Sequence, residues 1–188
     1  VRIISGKWKG RQLVSFKANH IRPTTDRVKE TLFNILQHDI PDSRILDLFG
    51  GTGNLSFESL SRGARFVELV ESHKISLKII QENMTKLGVT RQDLSVRPMD
   101  VFQYLKKYTG DPFDLAFIDP PFTEKLAHEV MEAIAKSKVL RVGGLAIIEA
   151  GGQERIDDKY NEFVLLDRRE YGDKTASIFR RENPRVIE

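Results

Sequence analysis

From Arg44 onward, short apolar runs alternate with helical patterns, and few folds accept that order. Residues 45–49, 65–71, 94–97, 113–118 and 145–149 read as strands. Between them lie helical stretches at about 54–62, 75–87, 101–108 and 124–138, the second ending at Gly88, a natural C-cap. Five strands joined through helices by short loops predict a parallel sheet covered on both faces. Residues 163–169 and 175–181 break the rhythm, because the five residues between them permit only antiparallel pairing. The predicted fold class is α/β, with a doubly wound, mostly parallel seven-stranded sheet that holds one antiparallel strand.

The first 38 residues follow another pattern. Two short strands, 2–5 and 11–16, flank the glycine-bracketed turn Gly6-Lys7-Trp8-Lys9-Gly10, which carries the only Trp. Thr24, Thr25 and Asp26 are candidate caps of a helix whose apolar face is Val28, Leu32, Phe33, Ile35 and Leu36. This head holds eight Lys/Arg against two acids, a charge of +6 within a chain of net +3. Such a head suits a polyanion partner, or else forms a solvated, lysine-rich edge. The chain therefore divides into a basic hairpin and helix over 1–38 and the alternating α/β domain over 39–188.

The absence of cysteine excludes disulfides, thiolate zinc sites and a cysteine nucleophile. No apolar run has the ~18–20 residues of a membrane span, and Val1-Arg2-Ile3-Ile4 leads into no signal-peptide core. A cytoplasmic, metal-free monomer is expected. The four histidines, His20, His38, His73 and His128, are scattered and read as neither catalytic nor metal-binding.

Asp47-Leu48-Phe49-Gly50-Gly51-Thr52-Gly53-Asn54 closes the first parallel strand, where open α/β sheets bind ligands. Glycines there admit a ligand close to the backbone, and the following helix offers free N–H groups. Ser56 stands where a dinucleotide fingerprint has its third glycine, which weakens a dinucleotide reading. Glu71 ends the next strand, 18 residues beyond Gly53, where a carboxylate can accept both ribose hydroxyls. Asp100 closes the third strand in the same way. Three acids on one rim, Asp47, Glu71 and Asp100, suit a ligand with a donor-rich end and a ribose.

Asp119-Pro120-Pro121-Phe122 is the most specific signal. Each proline fixes its own φ, extends the residue before it and lacks an N–H. The loop is therefore stiff and rich in acceptors. The Asp119 carboxylate and Pro120 carbonyl can accept the two N–H protons of an exocyclic amine while Phe122 stacks on its ring. An amine held so can attack a methyl group placed opposite, in line with a sulfonium leaving group.

The run 47–122 resembles class I S-adenosylmethionine-dependent methyltransferases of exocyclic amines that carry a DPP(Y/F) motif. Residues 2–11, residues 22–34 with their discriminating run Arg22-Pro23-Thr24-Thr25-Asp26-Arg27, and the turn Tyr171-Gly172-Asp173-Lys174-Thr175 are similar to the RsmD family, bacterial enzymes that methylate guanine N2 in 16S ribosomal RNA. Phe122 departs from the family's usual Tyr, a change that keeps stacking and removes a hydroxyl. The resemblance implies a Rossmann-like sheet with S-adenosylmethionine as cofactor and ribosomal RNA as partner. It implies that Gly50, Gly51 and Gly53 contact the cofactor's methionine end, with Asp47 and Asn54 also among the cofactor-binding residues. Glu71 would hold the ribose, Asp100 would accept from the adenine amine, and Val101 and Phe102 would flank the adenine ring. Asp119, Pro120 and Phe122 would form the target-base pocket. Lys7, Trp8, Lys9, Arg11, Arg22, Thr24 and Arg27 would meet the RNA, although Trp8 also reads as a small hairpin core residue and Arg27 as a surface pairing.

Other readings differ in substrate or class. A DNA or protein amino-methyltransferase shares the Asp-Pro-Pro-Phe chemistry, but 188 residues leave no segment for reading a DNA sequence. Glutamine methylation goes with Asn at the position of Asp119. A non-catalytic RNA-binding assembly factor would keep the pocket without using it. A dinucleotide oxidoreductase fits Ser56 and the Pro-Pro loop least well.

Overall fold

The apolar runs are buried along nearly their whole length, as strands of a sheet covered on two sides must be. The computed structural model describes residues 1–16 and 26–186. Two compact units divide the chain, Val1–Pro98 and Met99–Glu188.

The first unit contains α1 (Asp26–Ile35), β1 (Arg44–Leu48), α2 (Asn54–Ser61), β2 (Phe66–Val70), α3 (Lys74–Leu87) and β3 (Leu94–Arg97). Its strands lie in the order β3-β2-β1 and all run parallel. Leu48 pairs with Val70, and Val70 with Arg97, so the three strands end level. That register brings the glycine loop after β1 beside Glu71 after β2. The α3 helix buries Ile79, Ile80, Met84 and Leu87 and ends at Gly88, whose φ of 70° is the left-handed cap expected there.

The second unit contains α4 (Val101–Lys107), β4 (Phe113–Ile118), α5 (Ala127–Lys136), β5 (Leu140–Gly151), β6 (Lys159–Tyr160), β7 (Phe163–Tyr171) and β8 (Lys174–Arg181). Its strand order is β4-β5-β8-β7-β6. Strands β4 and β5 are parallel, and β8 runs antiparallel to both β5 and β7. So β8 is the single long antiparallel strand, and the two-residue β6 adds a short eighth strand at the edge of β7. The fold class is thus the doubly wound, mostly parallel α/β arrangement. The α5 face of Ala127, Val130, Met131 and Ile134 is buried at helical spacing.

Three local expectations need correction. The N-terminal hairpin forms one bridge pair, Arg2 with Gln12, and not two full strands; the Ile3, Gly10 and Leu13 N–H groups donate across it to the Arg11, Ile3 and Val1 carbonyls. Beyond it the backbone serves other partners: Ile4 and Ser5 donate to the Glu58 carboxylate (2.9 and 3.1 Å), and Val14 donates to Asn83 Oδ1 (2.7 Å). The glycine pair 143–144 lies inside β5 at a register shift, and does not precede the strand. The fifth helix starts at Ala127, because Lys125 takes a positive φ of 50°. The cap candidates Thr24 and Thr25 lie outside the described residues.

The α1 helix buries Leu32 and Phe33 as its pattern predicts, and also Lys29, which has no exposed surface. Lys29 Nζ lies 3.2 Å from Glu58 and donates to the Arg2 carbonyl (2.6 Å) and to Asn54 Oδ1 (2.8 Å). Burial lowers its pKa, an effect the Glu58 charge and hydrogen bond oppose. No helix among the described residues is long and apolar enough to cross a membrane.

Candidate active site

In the first unit the site begins where β1 runs out. Phe49 takes a left-handed φ of 61°, Gly51 one of 57° and Gly53 one of 86°, so the chain reverses sharply into α2. A Cβ on Gly53 would stand 2.5 Å from the Phe57 ring, so only glycine fits there. A Cβ on Gly51 would meet open space, which leaves this part of the loop as bare backbone that a ligand can approach closely. Gly50 donates to the Val70 carbonyl and Gly53 to the Gly50 carbonyl, which fixes the loop against β2.

The acids around this loop carry defined work. Glu71 accepts from the backbone N–H groups of Gly51 (2.8 Å), Ser72 (3.1 Å) and His73 (3.0 Å). It therefore shapes the loop from the end of β2. Asp47 is buried and accepts the Ser56 hydroxyl at 2.6 Å. Ser56, which replaces the third glycine, thus braces the loop's first acid. Asn54 gives its carbonyl oxygen to Lys29, and Asn83 reaches both the Val14 and Thr52 carbonyls (3.0 and 3.2 Å). These two contacts tie the N-terminal segment to the glycine loop.

In the second unit Asp100 caps α4, accepting from the Gln103 N–H at 3.1 Å. Val101 is buried and Phe102 half-buried in the first turn of that helix. Strand β4 delivers Asp119 at its end. On the parallel neighbour β5, Ile148 pairs with Ile118, so Glu149 is one step further along, level with Asp119. On the antiparallel β8, Lys174 pairs with Gly151 and so sits diagonally across from Glu149. The Lys174 ammonium lies 3.9 Å from Asp119 Oδ1 and 3.7 Å from Glu149 Oε2. An open cleft of about 180 Å³ is lined by Asp119, Pro120, Phe122, Glu149, Glu154 and Lys174. Phe122 is 55% exposed at this cleft, a large apolar ring presented to whatever enters. Gly151 gives it room, since a Cβ there would stand 3.0 Å from the ring edge.

Burial pushes both carboxyls up. Glu149 rises to about 8, first through burial and then through the Asp119 charge, with Lys174 opposing. Asp119 is raised by burial and held back by Lys174 and by its hydrogen bond with Glu149. Burial and the repulsion between the two carboxyls therefore favour retention of a proton by the pair, with Lys174 opposing. Glu149 Oε1 is buried with no hydrogen-bond partner among the described residues.

The expected RNA-facing residues divide three ways. Lys7, Lys9 and Arg11 are exposed, and Trp8 is half-buried. The turn is anchored to the end of α2 by Lys7 N–H to the Ser61 carbonyl and Trp8 N–H to Ser61 Oγ. Lys7 Nζ sits 4.4 Å over the Trp8 ring, and Arg11 donates to the Lys86 carbonyl. Arg27 is exposed on α1, its carbonyl accepting the Thr31 hydroxyl. Arg22 and Thr24 lie outside the described residues. Sequence reading missed Glu149, Lys174, Lys29 and Asn83. Lys174 stood in the quoted C-terminal turn, while nothing local marked the other three.

Glycine loop, strand-end acid and Asp-Pro-Pro-Phe loop on a doubly wound sheet define the class: an S-adenosylmethionine-dependent methyltransferase with the class I fold. Solved structures agree. The protein yhhF of Escherichia coli superimposes with a TM-score of 0.86 at 31% identity, covering 97% of this chain and 98% of that one. The methyltransferase SMU.776, solved with S-adenosylhomocysteine, shares the fold at a TM-score of 0.65 and 19% identity, covering 80% of this chain and 49% of that one. The family model described as Conserved hypothetical protein 95 matches residues 1–180, and the chain belongs to this family, the RsmD family. Ribosomal RNA small subunit methyltransferase D of Haemophilus influenzae is 38% identical over 150 residues, 79% of this chain and 78% of that protein. Its Escherichia coli namesake is 37% identical over 152 residues, 80% of this chain and 74% of that protein.

Proposed function

We propose that this enzyme methylates the exocyclic N2 amine of a guanine in 16S RNA of the small ribosomal subunit. The relatives' activity on small-subunit RNA supports the substrate. The observation that carries the reading is the cleft itself, a rigid acceptor loop ending in an exposed ring, with the half-buried Asp119 beside the buried Glu149.

S-adenosylmethionine supplies a methyl group activated by the sulfonium. Gly50, Gly51, Gly53 and Asn54 position its methionine end, with Asp47 bracing the loop through Ser56. Glu71 turns toward the ribose, and Asp100, Val101 and Phe102 hold the adenine. Phe122 stacks on the target base, and Pro120 and Asp119 accept from its amine. As the nitrogen–carbon bond forms and the carbon–sulfur bond breaks, the amine sheds one proton, which Asp119 takes and passes to solvent. Positioning and charge carry the rate, and no covalent enzyme intermediate is needed.

Residues 1–38 serve as the RNA-contacting appendage of the catalytic domain 39–188. Lys7, Lys9, Arg11, Arg22 and Arg27 neutralise phosphates, Thr24 contacts the backbone and Trp8 stacks, all in a cytoplasmic monomer. Tritiated methyl transfer to naked small-subunit RNA, assembled small subunits and duplex DNA, with mapping of the labelled base, tests the reading. Label is expected on guanine N2 of small-subunit RNA. Label on DNA, or on another RNA base, contradicts it.

A further inference from the structure

The cleft holds more polar groups than methyl transfer to an amine requires. Asp119 and the Pro120 carbonyl suffice to accept from one –NH2 group. Yet Glu149 and Lys174 line the same cleft, brought there by the parallel register of β4 with β5 and the antiparallel register of β5 with β8. Glu149 is only 8% exposed, and one of its oxygens lacks a partner among the described residues. Its other oxygen, Oε2, lies 3.7 Å from the Lys174 ammonium, a long contact that leaves the carboxyl acceptor capacity for a guest at the cleft wall.

The set of groups also has a sense. Glu154 is engaged by the Gly151 N–H, which leaves two acceptor-bearing carboxyls and one ammonium donor to complement a base edge that presents two donor groups and one acceptor. Guanine has that edge: the N2 amine, the ring N1–H and O6. Adenine presents one amine and an unprotonated ring nitrogen, and cytosine one amine with two acceptors. Either would leave a carboxyl of this cleft facing a lone pair.

We propose that Glu149 and Lys174 are the residues that select guanine, Glu149 accepting from ring N1–H and Lys174 donating to O6 while Asp119 and Pro120 hold the N2 amine. The proposal rests on amine methylation at Asp119 and names the base that this site takes. The retained proton is compatible with it. A Glu149 that donates to Asp119 keeps lone pairs to accept from N1–H, and the two carboxyls with one proton and Lys174 carry no net charge.

The test uses the full-length enzyme and small-subunit RNA with either guanine or 2-aminopurine at the mapped target nucleotide. The analogue keeps the N2 amine but has a lone pair at N1 and no O6. The wild type is expected to prefer guanine by roughly 10²-fold or more in kcat/KM, as sites built to hydrogen-bond a group reject analogues lacking it. Glu149→Gln places an amide donor that can meet the N1 lone pair, and Lys174→Met removes the donor to O6. Each is expected to shrink the preference by about tenfold or more. Because the readout is a ratio within one protein, a general loss of stability leaves it unmoved. A wild type that methylates both RNAs equally, or a preference unchanged in both variants, overturns the proposal alone. A wild type that places no methyl on guanine N2 overturns the underlying function as well.

Discussion

In the first unit the buried acids are well supplied with donors. Asp47 takes the Ser56 hydroxyl, Glu68 pairs with Arg97, and Glu58 takes Lys29, Arg62 and two backbone N–H groups. In the second unit Asp119 and Glu149 share one ammonium at 3.7–3.9 Å, and one Glu149 oxygen has no partner among the described residues. The contrast is one of purpose. Donor-saturated acids fix a loop before any ligand arrives, since the low-dielectric interior rewards completed networks. Under-supplied acids stay raised in pKa and reactive toward a donor-rich guest.

If saturation is structural, breaking it should cost fold stability. Lys29→Met leaves Glu58 buried without its ammonium and is expected to cost about 3–5 kcal/mol in urea unfolding. A loss below about 1 kcal/mol would show Lys29 to be dispensable to the first unit's framework. The basic turn offers a smaller contrast, because Lys7, Lys9 and Arg11 are exposed while the turn's backbone is anchored. Reversing all three to Glu should weaken RNA binding and cut the slope of log affinity against log salt by ~2, with folding little changed. An unchanged slope would make the turn a solvated edge.

A third contrast concerns pH. Glu149 is raised from 4.5 to about 8 in the fold, so between those values the native state binds more protons than the unfolded one. This group therefore erodes stability as pH rises through that window. Glu149→Gln removes the dependence, so its melting temperature should gain on the wild type from about pH 5 to about pH 8. Parallel pH profiles for the two proteins would place Glu149 in a solvated, ordinary setting.

Much of the fold and part of the site are legible in the sequence, but only where the signal is local. The alternation after Arg44, the loop ending at Gly53 and the acceptor loop at Asp119 each occupy a few consecutive residues, and each was found. Glu149 and Lys174 were not identified as site residues, because 30 and 55 residues of chain separate them from Asp119 and only sheet register joins them. Lys29 was counted among the charges of a basic head, since nothing adjacent reveals that Glu58 will meet it in the interior. Residues 2–5 alternate like a strand, but the Glu58 carboxylate outcompetes a partner strand for the N–H groups of Ile4 and Ser5. Asp100 was read as a ligand acid, and it is also a helix cap, two roles that one carboxylate's two oxygens can divide.

The division of labour between the units is tested most directly by measuring S-adenosylmethionine affinity and methyl transfer at saturating cofactor in Glu71→Ala and Asp119→Ala. The account predicts a crossover. Glu71→Ala should bind the cofactor roughly tenfold or more weakly yet still transfer methyl when saturated. Asp119→Ala should bind it normally and lose roughly 10²–10³-fold in transfer. Equal loss of both properties in both variants, or full transfer by Asp119→Ala, would contradict it.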